Sequence, residues 1–452
     1  MGALRSSSGD AMTATKNHAQ HSRSDAVGGA DWSILTEDLL LIIMAALDIP
    51  SLIRSGATCT SWHDAYSTFR ALRRRSPKQA PCLLYACDEY GPNHAALYCP
   101  STNTTFRVPF PHHGRGRFFS SNGWVFATDE VADPYLFNPV TGDQAMLPPV
   151  KTIPCIENFL DDNGNPSEED IKWARDNAYW RVAISAAGDD AATCTVLVVH
   201  RSGQMLSFAK PGDERWTLLS RDLWLDDVHY NDRNGLFYGL CSDGSVYVFD
   251  LGETSPVVTM IMRRVTTLRD AAKYLVITPS GELCQVWRIW DAGEAHTQIK
   301  HSWIYENLPH FTSQGCIDFT GRDDPAGDLV TDEEENTTSK SWQKIAVSTG
   351  KLLIFKVDIE RQKLVELRSI GEHALFLGYN SAVCLSTMDF PTFESNCAYL
   401  TDDCSEFGQI VRKDLGIWNF EKRSLQDLRE EWPSLFPWLD ESAPIWITPS
   451  LF

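Results

Sequence analysis

From Thr36 to Leu47 the chain reads TEDLLLIIMAAL, without Pro or Gly and rich in Leu, Ile, Met and Ala. The run predicts a helix whose first turn Thr36 can cap, with Glu37 and Asp38 favoured there by the helix dipole. Leu39, Ile42, Ile43 and Leu47 fall on one face of it. Asp48-Ile49-Pro50 ends the run, and Pro50 suits the first turn of a second helix, SLIRSGA. A third follows over SWHDAYSTFRALRRR. Three helices this short cannot bury an apolar face among themselves and require a partner surface.

From about residue 80 the pattern changes to short apolar runs broken by Gly, Pro, Asn and Asp. CLLYA, GWVFAT, TVLVVH, LFYGLC, SVYVFD, YLVIT and LLIFKV read as strands of five or six residues. LYCPSTNTTFRVP (97–109) aligns with LFNPVTGDQAMLP (136–148), each an apolar pair, a polar turn with Pro, a few strand residues and a closing Pro. Weaker strand–turn–strand echoes occur at SFAKPGDERWTLL, VYVFDLGETSPVV, LLIFKVDIERQKLVEL and GIWNFEKRSLQDL. Strand-rich repeats spaced by roughly 40 residues have the period of propeller blades. The expected fold is a small all-α head followed by a large all-β domain, an irregular β-propeller with a two-sheet sandwich as the alternative. DDNGNPSEED (161–170) and GRDDPAGDLVTDEEENTTSK (321–340) read as solvated loops.

Composition narrows the function. The 452 residues carry a formal net charge of −20, which argues against nucleic acid, whose phosphates demand a Lys/Arg surface. Fifteen Trp, 21 Phe and 13 Tyr favour strands. The longest apolar run, around Leu39–Leu47, is too short for a membrane span. Without an apolar signal segment at the start, the 12 cysteines are expected as reduced thiols in cytosol or nucleus, and the sequons at Asn103 and Asn336 as chance matches. The nearest cysteine pairs, Cys82 with Cys87 and Cys397 with Cys404, lack zinc spacing.

No catalytic or cofactor motif assembles. DDNGNPSEED fails as a calcium loop, with Pro166 where Gly must turn and Lys172 where the bidentate Glu belongs. GRGRFF around Gly114 lacks the third Gly of a dinucleotide loop, and His112-His113 read as turn residues. Arg70, Arg73, Arg74, Arg75 and Lys78 form a basic patch, read as a solvated linker or a nuclear import signal. No enzyme, metal or cofactor is expected.

ILTEDLLLIIMAALDIPSLIRSGATCTSWHDAY resembles the F-box, a Leu-Pro-x-Asp/Glu-Leu-Leu opening, a mid-helix Ile and Leu, a Leu-x-Arg element, then Val-Cys-x-x-Trp. The matching positions are Leu35, Glu37, Asp38, Leu39, Leu40, Ile43, Leu47, Leu52, Arg54, Cys59 and Trp62, with Thr36 where the usual Pro stands. The resemblance implies docking on a Skp-type adaptor and through it on cullin, the RING subunit and a ubiquitin-charged E2. It assigns Leu35, Thr36, Leu39, Ile43, Leu52 and Trp62 to that interface or its immediate support; Trp62 is equally placed to lie inside the three-helix unit. A second resemblance lies at the C-terminus, over LFLGYNSAVCLSTMDFPTFESNCAYLTDD (375–403), DLGIWNFEKRSLQDL (414–428) and PIWITPSL (444–451). These stretches are similar to the plant F-box proteins with a kelch-like C-terminal domain of KIB type.

The resulting organisation is a disordered leader (1–30), an F-box helical domain (31–75), a basic linker (76–80) and a kelch-like propeller (81–452). The implied function is substrate recruitment, without catalysis, to a Skp–cullin–F-box ubiquitin ligase. The partners expected are the adaptor and an unidentified target protein, with no nucleic acid and no membrane. Two alternatives stay open: an F-box scaffold outside degradation, and a propeller enzyme or ligand-binding module with a fortuitous helical head.

Overall fold

The computed structural model describes residues 13–14, 31–72, 79–110, 117–154, 167–185, 193–200, 205–252, 255–265, 271–292, 347–403, 414–436, 438 and 444–451. The segment 321–340 and most of the expected leader lie outside the described residues. Thr13–Ala14 (β1) run antiparallel beside Phe106 and Arg107.

Three helices open the chain: α1 Glu37–Ala46, α2 Ile49–Gly56 and α3 Thr60–Ala71. Asp48 caps α2 by accepting the Ser51 N–H at 2.8 Å. The expectation for Thr36 is corrected: it stands at the N-cap of α1, but its side chain makes no capping bond. The start of α1 rests on Glu37 and Asp38 at its positive end. Leu40, Leu41, Met44, Ile49, Leu52, Ala65 and Phe69 bury into one cluster that is completed by Leu451, with Val140 packed against it. The partner surface the helices need on this side therefore comes from the same chain, 380 residues downstream of α3.

The rest is a six-bladed propeller. The first blade holds β2 Cys82–Ala86, β3 His94–Cys99 and β4 Thr104–Pro109, and the second β5 Phe119–Ser121, β6 Trp124–Thr128, β7 Pro134–Phe137 and β8 Gln144–Met146. β9 Arg181–Ile184, β10 Val196–Val199, β11 Leu206–Ala209 and β12 Thr217–Ser220 make the third blade. The fourth is β13 Leu225–Asn231, β14 Leu236–Cys241, β15 Val246–Asp250 and β16 Val257–Met262. β17 Ala272–Ile277, β18 Leu283–Ala292, β19 Val347–Asp358 and β20 Lys363–Leu367 make the fifth. In the sixth, β21 His373–Leu377 lies between β22 Val383–Ser386 and β23 Cys397–Leu400, followed by β24 Gly416–Asn419 and β25 Ser424–Asp427. The ring closes when β26, Ile445–Ile447, returns as the innermost strand of the first blade and pairs with Cys82–Leu84. Closure leaves no open edge around the centre.

All six strand–turn–strand echoes of the sequence are outer hairpins of successive blades, from Leu97–Pro109, which β1 flanks on the outside, to Gly416–Leu428. The sandwich alternative is thereby set aside. One loop expectation is corrected. Ser167 and Asp170 form a capping box, the hydroxyl accepting the Asp170 N–H at 3.1 Å and the carboxylate accepting the Ser167 N–H at 3.0 Å. They start a ten-residue helix, α4 Glu168–Asn177, where 161–170 reads as a loop throughout.

Strand direction sorts the connections into two mouths. The inner strands β26, β5, β9, β13, β17 and β22 touch in succession round the ring. Antiparallel alternation within a four-stranded blade puts the start of its inner strand and its second-to-third connection at one mouth, called upper here. The first-to-second and third-to-fourth turns gather at the lower mouth. Val140, in the turn between β7 and β8, and Leu451, beyond β26, place the helical head at the lower mouth.

Candidate functional site

Two sites lie at opposite ends of the ring. At the lower end, α1 turns one apolar side inward and the other to solvent. Leu39 is 48% and Ile42 63% exposed, and both Trp32 and Ile34 in the preceding turn are open to solvent. Ile43 and Leu35 are half-buried and Thr36 is exposed. Trp62 is half-buried and its indole N–H donates to the Trp32 carbonyl at 3.1 Å, tying α3 to the segment before α1. Leu52 is different: it is fully buried among α1, α2 and α3 and presents no side-chain surface to a partner. Trp32, Ile34 and Ile42 were absent from the assigned residues. Leu35, Leu39 and Ile42 stand at i, i+4 and i+7, the spacing that carries one helical face.

At the upper mouth a buried network of charges crosses several blades. Arg288, on β18, uses all five of its N–H groups. Nε donates to the Thr349 hydroxyl at 2.8 Å, Nη1 to Asp403 at 3.1 Å and the Thr401 carbonyl at 2.8 Å, and Nη2 to the Asp414 carboxylate at 2.9 Å and carbonyl at 3.1 Å. Asp403 also receives Arg181 Nη2 at 2.8 Å and the Tyr274 hydroxyl at 2.9 Å. Lys273 pairs with Asp226 at 3.2 Å. Asp227 is buried and accepts the N–H groups of Leu275 at 2.7 Å and Val228 at 2.9 Å. Burial pushes its carboxyl up to about 7, against the pull of Arg181 and those two N–H groups. Beside the network, Arg117 and Arg181 both lie over the rings of Trp180 and Tyr379. Burial raises the Tyr379 hydroxyl to about 12, so it stays protonated.

None of these residues was assigned a role from sequence. The signal was present as charges inside apolar strands: Arg181 in YWRVAI, Arg288 in VWRIW, and Asp403 in the C-terminal stretch LTDD. A charge in a run that reads as buried implies a partner elsewhere in the chain.

Among the described residues no three His, Cys, Asp or Glu side chains come together to hold a metal ion, and no helix is long and apolar enough to cross a membrane. His112, His113, Gly114 and the Arg73–Lys78 part of the basic patch lie outside the described residues.

Residues 97–419 match the family model described as the KIB1-4 beta-propeller. An F-box/kelch-repeat protein of Arabidopsis thaliana is 24% identical over 48% of this chain and 56% of its own length. A second Arabidopsis thaliana protein, also named for an F-box, is 25% identical over 57% of this chain and 67% of its own. The chain thus spans little more than half of the first relative. Among solved structures, YCF48 bound to a D1 peptide aligns over 44% of this chain and 55% of that one at 11% identity, with a TM-score of 0.26. A GH74 xyloglucanase from Xanthomonas campestris aligns over 43% and 31% at 11% identity, with a TM-score of 0.23. Both are too remote to carry an argument.

Proposed function

Because the chain belongs to the KIB1-4 β-propeller family, we propose that it is the substrate-recruiting subunit of a Skp–cullin–F-box ubiquitin ligase. The observation that carries this reading is the side of α1 left open by its own fold. Leu40, Leu41 and Met44 are satisfied against the head core, while Leu39 and Ile42 on the other side remain in water. An uncovered apolar helix face of this kind fits into a partner's groove, and the Skp-type adaptor is the partner the F-box resemblance supplies. The relatives named for F-boxes support the same assignment.

The arrangement also suits the task. The head packs at the lower mouth, so an adaptor bound to α1 leaves the upper mouth clear for a target protein. Holding that target near a ubiquitin-charged E2 raises its effective concentration without asking any residue of this chain to act as a catalyst. Such a ligase subunit works in cytosol or nucleus.

The test is co-precipitation of the full chain with a purified Skp-type adaptor. Leu39→Asp with Ile42→Asp should abolish capture, because two charges would enter a desolvated apolar interface. Since both side chains are exposed, stability should stay within about 0.5 kcal/mol of the parent. Full capture by a folded double variant would refute the assignment.

A further inference from the structure

Two donors at the upper mouth are left over from the ion-pair network. Arg117, just before β5, has no carboxylate partner among the described residues. Its guanidinium carbon lies 5.8 Å from the Trp180 ring centre and 5.6 Å from that of Tyr379. Arg181 lies over the same two rings, at 5.6 and 5.2 Å. Arg117 Nη1 and Arg181 Nε are buried N–H groups without an acceptor. A buried donor without an acceptor loses its hydration with nothing in return, so two of them beside each other form a costly arrangement for the protein alone.

The neighbouring carboxylates do not resolve it: Asp402 near Tyr379 and Asp227 near Arg181 make no ion pair with Arg117 among the described residues. Asp403 already accepts from Arg181, Arg288 and Tyr274, and it makes no bond to Arg117. Two like charges that share the same aromatic platforms are stabilised by a third group of opposite charge. The rings contribute cation–π attraction and fix the planes of the guanidinium groups, which prepares their N–H edges for an oxyanion.

We propose that Arg117 and Arg181, held by Trp180 and Tyr379, form a receptor for an oxyanion, a carboxylate or a phosphate, presented by the molecule that the upper mouth recruits. Arg117 supplies the uncommitted charge. Arg181, anchored through Nη2 on Asp403, offers its free Nε. The biological source of the anion rests on the recruiting role proposed above; the binding of a free anion does not, so the two can fail separately.

The experiment is isothermal titration of the full-length protein with inorganic phosphate and, in a second arm, glutarate, each against sodium chloride at matched ionic strength. Saturable binding of either anion, weakened at least tenfold in Arg117→Gln and partly restored in Arg117→Lys, is the expected result. Preference for phosphate would identify a phosphorylated group as the source, and preference for glutarate an acidic side chain or chain end. Should neither anion differ from chloride, or should a folded Arg117→Gln bind as the parent does, the receptor is refuted. If that variant does not fold, phenylglyoxal labelling of Arg117 in the parent decides: the preferred anion must slow labelling at this residue, and unchanged labelling overturns the proposal. Adaptor capture is a separate readout, so its loss would leave the anion result standing.

Discussion

Trp446 meets Phe376 edge to face, with ring centres 4.9 Å apart and planes at 78°. One ring belongs to the last strand of the chain, now the innermost of the first blade, and the other to the sixth blade. Phe376 in turn stacks on Tyr399 at 5.0 Å, so the seam between first and sixth blades is an aromatic cluster in which Trp446 is the fully buried indole and Trp432 lies beside it. The main-chain ladder between Ile445–Ile447 and Cys82–Leu84 supplies the other half of the closure.

Trp446→Ala is expected to cost about 3–5 kcal/mol, as removal of a fully buried ring does when its surroundings cannot collapse. Deleting 444–451 should lower the melting temperature much more than deleting 1–30, whose composition offers little apolar surface to bury. Equal melting temperatures for the two truncations would show that closure does not depend on this strand.

Leu451 links the head to the propeller. Leu451→Ala should speed amide exchange in α1 and α3 while leaving the strands of the third and fourth blades protected, because only the head loses a core member. Uniform loss of protection throughout would mean that head and propeller unfold as one unit. An unchanged head would mean that its three helices are stable without this contact.

Arg288 holds two carboxylates that have few other cationic partners. Arg288→Met is expected to destabilise by about 3–5 kcal/mol in urea unfolding, since the buried Asp403 and Asp414 lose the fork that joins them. Arg288→Lys should recover little, because an ammonium group cannot span Thr349, Asp403 and Asp414 together. Adding Asp414→Asn to Arg288→Met should regain part of the loss.

The contribution of the buried imidazoles to the pH dependence has a definite sign. His200 is fully buried, its Nδ1–H donating to the Ala178 carbonyl, and burial lowers it from 6.5 to about 4. With the folded value below the unfolded one, its contribution is complete above pH 6.5 and is lost as the pH falls towards 4. That loss is worth about 3 kcal/mol. His229, also lowered to about 4 by burial, acts in the same direction. Asp227 opposes them: raised from 3.8 to about 7, it costs stability as the pH rises through that window. Burial also raises Asp226, Asp133 and Asp232, which act with Asp227, so the sign is read from the difference between variants: the urea midpoint of the parent should gain on that of His200→Gln as the pH rises from about 4.5 to about 6.5. A difference that stays constant across this range would contradict the lowering of His200 by burial.

Much of this architecture was legible along the chain. The helical head follows from TEDLLLIIMAAL and the DIP break, and the blades from outer hairpins that recur because each must place an apolar strand, a turn and a second strand in the same frame. These are local requirements, met by neighbouring residues, so sequence alone determined them. The capping box at Ser167 and Asp170 was equally local, but the polar run around it reads as a loop.

Contacts between distant residues were decided only by closure of the ring. Cys82 is near Cys87 in sequence, yet its sulfur lies 2.7 Å from that of Cys99, across the β2–β3 ladder. Leu451 completes a core begun by Leu40, and Asp403 meets Arg181 and Arg288 across 222 and 115 positions. A periodic pattern records which side of a strand is buried, but it does not record which strand lies opposite. Buried charges depend on that second fact, since each is tolerable only where the fold brings it a partner. The apolar face of α1 divides the same way. Its residues were evident from their spacing, whereas the choice of Leu40, Leu41 and Met44 for the interior and Leu39 and Ile42 for solvent required the propeller against which the head packs.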